Sequence, residues 1–424
     1  MTQTQIIFAL IYLLTLLLSA TETVRMSVAA LVGALLTVWF GLQYNVFTYD
    51  QAAGFIDIRL LGLLIGVMIV VEVAKKSGLF RFGALYGIKL SRGNPNVLFI
   101  SLCVMSAIVS MFLSDPTAML LIAAATVTIT NLLRYDPVPY FISSAVMINL
   151  GGTSTLIGSV SNMIIGVEAR MSFIDFLNYL AICEVILWML TISTLYIIFR
   201  SRLGKKRVLP KYDPWDSVEN RKSFYLSIFI LVLLISLFLT LENIGVGPEA
   251  VALGCAILAL VISGFDPTKI FEGMDWETVF FIAGFMFVVG GLESAGVLND
   301  ISAQLFRLVG KNPLKATLVT LWFSGLASAL VSNIAIALTF APIIGTPGLN
   351  SPAVWSALVL GTNLGGATTP LSGAVCIMAI GTLKREGISM SFGEFTKVGL
   401  TTSVIQLGFA GLYLISRFML RVGE

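Results

Sequence analysis

One carboxylate stands where an apolar stretch should not hold one. The tetrad Ser114-Asp115-Pro116-Thr117 interrupts an otherwise apolar region spanning 97–133. Proline lacks a backbone donor and disfavours helix at the residue before it. A helix is therefore expected to break at Asp115, exposing carbonyls beside its carboxylate. Irregular backbone at membrane depth survives only where protein or a water-filled cavity satisfies it. An ionisable group at that depth is costly and tends to be functional. The plainer alternative is a polar kink with no ligand. A second polar tip, Ser332-Asn333, keeps the serine and replaces the acid with an amide. An amide can coordinate or hydrogen-bond but takes up no proton at neutral pH. Ser110 and Ser328 lie four residues before Ser114 and Ser332, a spacing that predicts one shared helix face for each pair.

A second pair of polar segments reads NLGGTSTLIGSVSN from Asn149 and NLGGATTPLSGAVC from Asn363. Gly151-Gly152 and Gly365-Gly366 are expected to open their helices, with Thr153, Thr155, Thr368 and Thr369 supplying side-chain oxygens. Pro370 enforces the break in the second copy. Glycines in membrane helices also serve close packing, and a lone Gly-Gly would say little. No lysine follows at the spacing of a phosphate loop. Among other ionisable groups in apolar surroundings, Glu184 is a candidate proton relay, the alternative being an internal hydrogen-bonded pair. Glu72 is expected to pair with Lys76 one turn on, and Glu168 and Arg59 read as interfacial. Four isolated cysteines, Cys103, Cys183, Cys255 and Cys376, read as small buried hydrophobes. The chain has no histidine, which excludes histidine-based metal sites and histidine as the proton carrier. No cofactor or metal set is expected.

The elements that position these groups follow from composition. Of 424 residues, 57% are hydrophobic and 12% charged, about half the charge of a soluble domain. Apolar runs long enough to span a bilayer recur, among them 6–20, 28–42, 60–74, 224–241 and 251–264. The first run has no basic leader or small-residue cleavage site and reads as a retained helix. A net charge of +3 with basic residues in loops does not suggest a nucleic-acid partner.

The chain repeats itself. Residues 57–80 match 275–298 at an offset of 218, sharing Asp, Gly, Met, Val-Val and Gly. At that offset Asn94-Pro95 meets Asn312-Pro313, and Ser114-Asp115 meets Ser332-Asn333. Asn149–Gly152 then meets Asn363–Gly366, and MSFIDF at 171–176 meets MSFGEF at 390–395. The division is 1–200, a basic linker 201–222, and 223–424. Lys75, Lys76, Arg81, Lys89 and Arg92, together with the linker, mark the cytoplasmic side. Segment 96–133 is then a hairpin entering and leaving on one side. The expectation is an all-α polytopic membrane protein of two inverted-topology repeats, each of about five transmembrane helices plus a re-entrant hairpin and an unwound helix. That plan puts a binding site near the midplane.

At these motifs the sequence resembles the ion transporter superfamily. That group includes arsenite/antimonite efflux permeases, the melanosomal P-protein type, sodium/proton antiporters and divalent-anion/sodium symporters. Length and pattern resemble the arsenite permeases most. The resemblance implies that hairpin tips and unwound helices hold substrate and ions. By position these are Ser110, Ser114, Asp115, Gly151 and Thr155, then Ser328, Ser332, Asn333, Gly365 and Thr369. Where related symporters have Ser-Asn-Thr, this chain has Ser-Asp-Pro and Ser-Asn-Ile, which weakens a dicarboxylate assignment. The expected activity is proton-coupled efflux of arsenite or antimonite across the cytoplasmic (inner) membrane, with Asp115 as the coupling carboxylate. Sodium/proton antiport and sodium-coupled organic-anion symport are the alternatives, and a channel is the reading outside carriers. An enzyme is not expected, since no nucleophile–base pair is visible. The resemblance also allows a homodimer and, as in some arsenite permeases, an associated ATPase subunit.

Overall fold

A computed structural model describes residues 2–20, 24–208, 213–241, 245–310, 312–368 and 391–422. Helices α1 (Gln3–Ala20), α2 (Met26–Gln43) and the short α3 (Tyr49–Ala53) lead into α4 (Ile58–Lys76) and α5 (Leu79–Ser91). Then come α6 (Pro95–Ser110), α7 (Asp115–Leu133), α8 (Val138–Thr153), α9 (Val160–Ala169) and α10 (Phe173–Phe199). After the linker, α11 (Arg221–Leu241), α12 (Pro248–Ile262), the short α13 (Pro267–Glu272), α14 (Trp276–Ser294) and α15 (Val297–Val309) follow. The chain continues through α16 (Pro313–Ser328), α17 (Asn333–Ile344), α18 (Pro352–Gly365) and α19 (Phe392–Val422). Eight of the described helices or helix pairs are long and apolar enough to cross a membrane. The chain is an all-α, multi-pass membrane protein.

The repeated residues do repeated structural work. Asp57 caps α4 by accepting from the Arg59 amide at 2.8 Å, and Asp275 caps α14 through the Thr278 amide at 3.2 Å. Asn94 and Asn312 cap α6 and α16, each with proline at the first helical position, where the missing N–H is harmless. Gly78 and Gly296 turn the chain from α4 to α5 and from α14 to α15 at φ +84° and +80°, angles that suit glycine. Close packing repeats as well. A Cβ on Gly66 would strike the Ala252 backbone of α12, and one on Gly284 would strike the Ala30 backbone of α2. The glycines are 218 residues apart and the alanines 222. Each half's α4-type helix thus packs on the other half's α2-type helix.

The first hairpin enters and leaves on one side. The Tyr135 hydroxyl, just past α7, donates to the carbonyls of Gly93, just before α6, and Lys205 of the linker, both at 3.0 Å. The linker is docked rather than merely connecting. Trp215 packs on Phe82 with ring centroids 4.6 Å apart, and the Arg221 guanidinium lies 5.1 Å over its ring. Arg202 holds Asp136 and, by a short contact, Glu394 at the start of α19.

Several sequence expectations need correction. Gly151 and Gly152 do not open their helix; they lie inside α8, which runs to Thr153. Gly151 is small because α6 crosses there, and a Cβ would collide with the Ala107 backbone. Gly365 meets the Gly325 backbone of α16 in the same way. The break falls at 154–159, after the glycines. Ser110 and Ser114 do not share a helix face, because α6 ends at Ser110 and Ser114 precedes α7. Ser328 and Ser332 are separated likewise. The break expected at Asp115 falls just before it, at 111–114, and Asp115 itself is helical, opening α7 with Pro116 in the first turn. Glu72 pairs with Lys75 at 2.7 Å rather than with Lys76, which donates to the Lys269 carbonyl instead.

Candidate functional site

The geometry around the first hairpin tip is built from two helix ends and one broken helix. Residues 111–114 turn the chain, and Asp115 lies in the first turn of α7. A carboxylate there meets the positive end of the helix. The Ser110 hydroxyl, fully buried, donates to the Ile148 carbonyl at 2.6 Å and lies 3.3 Å from Asp115 Oδ1. It stitches α6 to α8 and reaches the acid at once. In the other half Ser328 donates to the Thr362 carbonyl at 2.5 Å. Ser114 donates to Thr117 Oγ1 at 3.0 Å.

The unwound segment 154–159 faces that tip. Thr155 Oγ1 donates to the Met111 carbonyl at 3.0 Å. Oxygens converge above Gly152. A Cβ at this glycine would lie 3.3 Å from Asp115 Oδ1, 3.3 Å from the Gly158 carbonyl and 3.4 Å from Ser110 Oγ. At Gly158 a Cβ would meet the Gly152 carbonyl at 2.7 Å, Thr155 Oγ1 at 2.9 Å and the Met111 carbonyl at 3.2 Å. Carboxylate, hydroxyl and carbonyl oxygens in this number suit a hard cation or a polyhydroxy ligand.

Asn162, on α9, fastens the segment. Its amide donates to the Gly152 carbonyl at 2.9 Å and the Thr155 carbonyl at 2.8 Å. It accepts from Asn363 Nδ2 at 2.8 Å, and Asn363 Oδ1 receives Ser161 at 3.3 Å. Asn149 Oδ1 lies 3.4 Å from where a Gly366 Cβ would stand, and its Nδ2 has no partner among the described residues. The ends of α8 and α18 therefore meet. Glu184, on α10, is 3% exposed and receives Ser154 at 3.3 Å.

Comparison with known proteins places this architecture. A family profile described as CitMHS, citrate transporter, matches residues 16–361. The chain belongs to the citrate transporter (CitMHS) family, within the ion transporter superfamily. An uncharacterized transporter of Mycobacterium tuberculosis is 29% identical over 96% of this chain and 97% of the relative. The magnetosome protein MamN of Magnetospirillum gryphiswaldense is 25% identical over 91% of this chain and 93% of the relative. The human P protein is 24% identical over 85% of this chain and 53% of its own length. The crystal structure of the Alcanivorax borkumensis YdaH transporter shares the fold, with a TM-score of 0.61 over 97% of this chain and 98% of that chain at 16% identity. This member of the CitMHS family is a membrane transporter and not an enzyme.

Two cavities lie along α4 and α9 of this CitMHS protein, and the first reaches the site. One, small and mostly apolar, opens beside Glu72 and Asp275 and reaches Ser114, Thr117, Gly158 and Met163. The other, about 510 Å³, opens beside Asp57, Glu168 and Glu293 and reaches Ile164 and Leu338. Leu64 lines the first and Leu60 the second, one turn or about 6 Å apart on α4. On α9 the adjacent Met163 and Ile164 face the two cavities. Apolar side chains of α4 and α9 therefore lie between the two cavities.

The residues named from sequence distribute as follows. Ser110, Ser114, Asp115, Thr117, Gly152 and Thr155 gather at the first tip. Asn149, Asn363 and Gly366 meet where α8 and α18 end. Gly151, Gly365, Ser328 and Thr153 are packing or helix-internal groups, Thr153 donating to the Asn149 carbonyl at 3.2 Å. Thr368 donates to the Gly365 carbonyl at 2.7 Å. Ser332 and Asn333 are half-buried at the opening of α17. Thr369, Pro370 and Cys376 lie outside the described residues. Cys103, Cys183 and Cys255 are buried and free. Sequence reasoning missed Asn162, Gly158 and Ser154. The available signal for Asn162 was an amide beside the apolar run Met163–Ile165 of a ten-residue helix.

Proposed function

We propose that this chain is a proton-coupled secondary transporter in which Asp115 binds the coupling proton, and that its substrate is a small uncharged polyhydroxy species, arsenite or antimonite. The observation that carries the proposal is the convergence of Asp115 Oδ1, Ser110 Oγ and the Gly158 carbonyl above Gly152. Arsenite at neutral pH is a neutral trihydroxy species. It can donate to such acceptors and accept from Ser114 and Thr117. Among the described residues no lysine or arginine lines either cavity. A citrate trianion, the substrate named by the family description, would find hydroxyls and helix N-termini there but no described cation. Asn333, the counterpart of Asp115, cannot titrate, so coupling by this route resides in one half.

A second reading rests on the same oxygens. Gly152, Gly158 and Met111 carbonyls with Thr155 Oγ1 and the Asp115 carboxylate resemble the ligand set of a hard cation. Sodium/proton exchange would use Asp115 for both ions in turn.

The deciding experiment uses everted vesicles with an imposed pH gradient, presented separately with arsenite, antimonite, sodium and citrate. Arsenite accumulation that collapses with the gradient and is absent in Asp115→Asn supports the proposal. Sodium-dependent dissipation of the gradient without arsenite movement selects the second reading. Citrate accumulation, or full arsenite extrusion by Asp115→Asn, overturns both.

A further inference from the structure

A second carboxylate, Glu184, touches the unwound segment through Ser154. Glu184 lies near the middle of α10, 3% exposed, and its Oε1 has no hydrogen-bond partner among the described residues. Its Oε2 accepts from Ser154 at 3.3 Å, and Ser154 in turn accepts from Trp188 Nε1 at 3.1 Å. Ser154 caps the end of α8 and is the first residue of the unwound segment. Its neighbour Thr155 holds the first hairpin tip through the Met111 carbonyl. A hydrogen-bond chain therefore runs from α10 to the segment that faces Asp115.

Glu184 forms no ion pair with any described cation. The packed helices α6, α8 and α18 contain no charged residue. Charged groups on α19 lie toward its ends. Glu394 pairs with Arg202, Lys397 follows one turn later, and Arg417 donates to the Asn178 and Tyr179 carbonyls. On α11, Arg221 and Lys222 stand at the first turn, and on α10 itself Asp175 is fixed by Ser172. The other titratable side chains of these helices are Cys183, Tyr179 and Tyr196 on α10, Cys103 on α6, Tyr140 on α8, Tyr225 on α11 and Tyr413 on α19, all neutral groups in their ordinary protonated form. A carboxylate so enclosed, with one oxygen unpartnered, is a costly charge and a group suited to carrying a proton.

The repeat sharpens the point. Phe173 and Phe392 each open the last helix of their half, and Glu184 and Ser403 stand eleven residues further on. Ser403 is buried and its hydroxyl has no described partner. The half that has Asp115 also has Glu184, and the half that has Asn333 has Ser403.

We infer that Glu184 is a second proton-binding group of this transporter, linked through Ser154 to the unwound segment 154–159. The inference deepens the proton-coupled reading, since it adds a second titrating group to the same half. Its test needs no transported substrate. Protein in lipid nanodiscs is followed by pH-difference infrared spectroscopy as wild type, Asp115→Asn, Glu184→Gln and Ser154→Ala. The expected result is a protonated-carboxyl band that persists in Asp115→Asn, vanishes in Glu184→Gln and shifts in frequency in Ser154→Ala. A carboxyl region in Glu184→Gln identical to wild type, or an unshifted band in Ser154→Ala, overturns the inference. If Glu184→Gln does not fold, the Ser154→Ala shift alone decides. Vesicles that move neither arsenite nor sodium would sink the proposed function, while the infrared result would still decide Glu184.

Discussion

Asn363 Nδ2 donates to Asn162 Oδ1 at 2.8 Å, joining residues 201 positions apart. Asn162 passes that restraint on, because its own amide holds the Gly152 carbonyl at the end of α8 and the Thr155 carbonyl within the unwound segment. Both asparagines are buried, and a buried amide left without partners costs about 1–3 kcal/mol. Asn162→Ala should therefore lower stability by roughly that amount and loosen 154–159. Asn363→Ala should do the same, and the double variant should lose less than the sum of the two, because the pair is coupled. Thermal unfolding of the four proteins in nanodiscs measures the cycle. Additive losses would show that the amides do not act on one another.

How much of this was readable beforehand depends on the kind of signal. The paired halves were readable because capping and close packing demand particular residues. Asp57 and Asp275, Asn94-Pro95 and Asn312-Pro313, and Gly78 and Gly296 recur because each fixes a helix end or turn. The hairpin was readable from the basic residues that place both its ends on one side, and its tip from Ser114-Asp115-Pro116. The position of the helix break was not. A Gly-Gly pair reads equally well as a break or as a contact, and only the approach of Ala107 to Gly151 decides. Asn162 was not singled out because its partners are contributed by Gly152, Thr155 and, from the other half, Asn363. The linker's docking depends on Phe82 and Phe224, which are far from Trp215 or nearby only in part along the chain.

Gly151 and Gly365 should tolerate no side chain. A Cβ at either would enter the backbone of the facing helix, which cannot give way as a flexible side chain can. Overpacking of this kind costs about 1–3 kcal/mol. Gly151→Ala and Gly365→Ala are expected to lower the melting temperature, whereas Gly254→Ala, where no atom lies within 4 Å of the added carbon, should be neutral. Equal melting of all three would mean that α6–α8 and α16–α18 are not held at this spacing.

Trp215 should hold the linker. It packs against Phe82, Phe224 at 5.3 Å and the Arg221 guanidinium, and the Ser217 carbonyl lies 2.9 Å from where a Gly78 Cβ would be. Trp215→Ala removes the aromatic contacts, each worth about 0.5–1.5 kcal/mol. Trypsin should then cut faster among Lys205, Lys206 and Arg207, read as fragment appearance on a gel. An unchanged cleavage rate would show that this cluster does not restrain the segment.

Arg202 joins the exit of the first hairpin, at Asp136, to the start of α19, at Glu394. The three side chains are partly exposed, so the pairs together add little to stability, about 0.2–1 kcal/mol each before salt screening. Their effect should lie in position rather than in melting. The hairpin exit carries Tyr135, whose hydroxyl gathers the Gly93 and Lys205 carbonyls, so releasing Asp136 frees one corner of that base. Arg202→Ala is expected to shift the melting temperature only slightly while raising the distance spread between spin labels at 137 and 396. High salt should broaden the wild-type distribution toward that of the variant, because exposed pairs are screened. A narrow distribution in Arg202→Ala at every salt concentration would assign the hairpin base to Tyr135 alone.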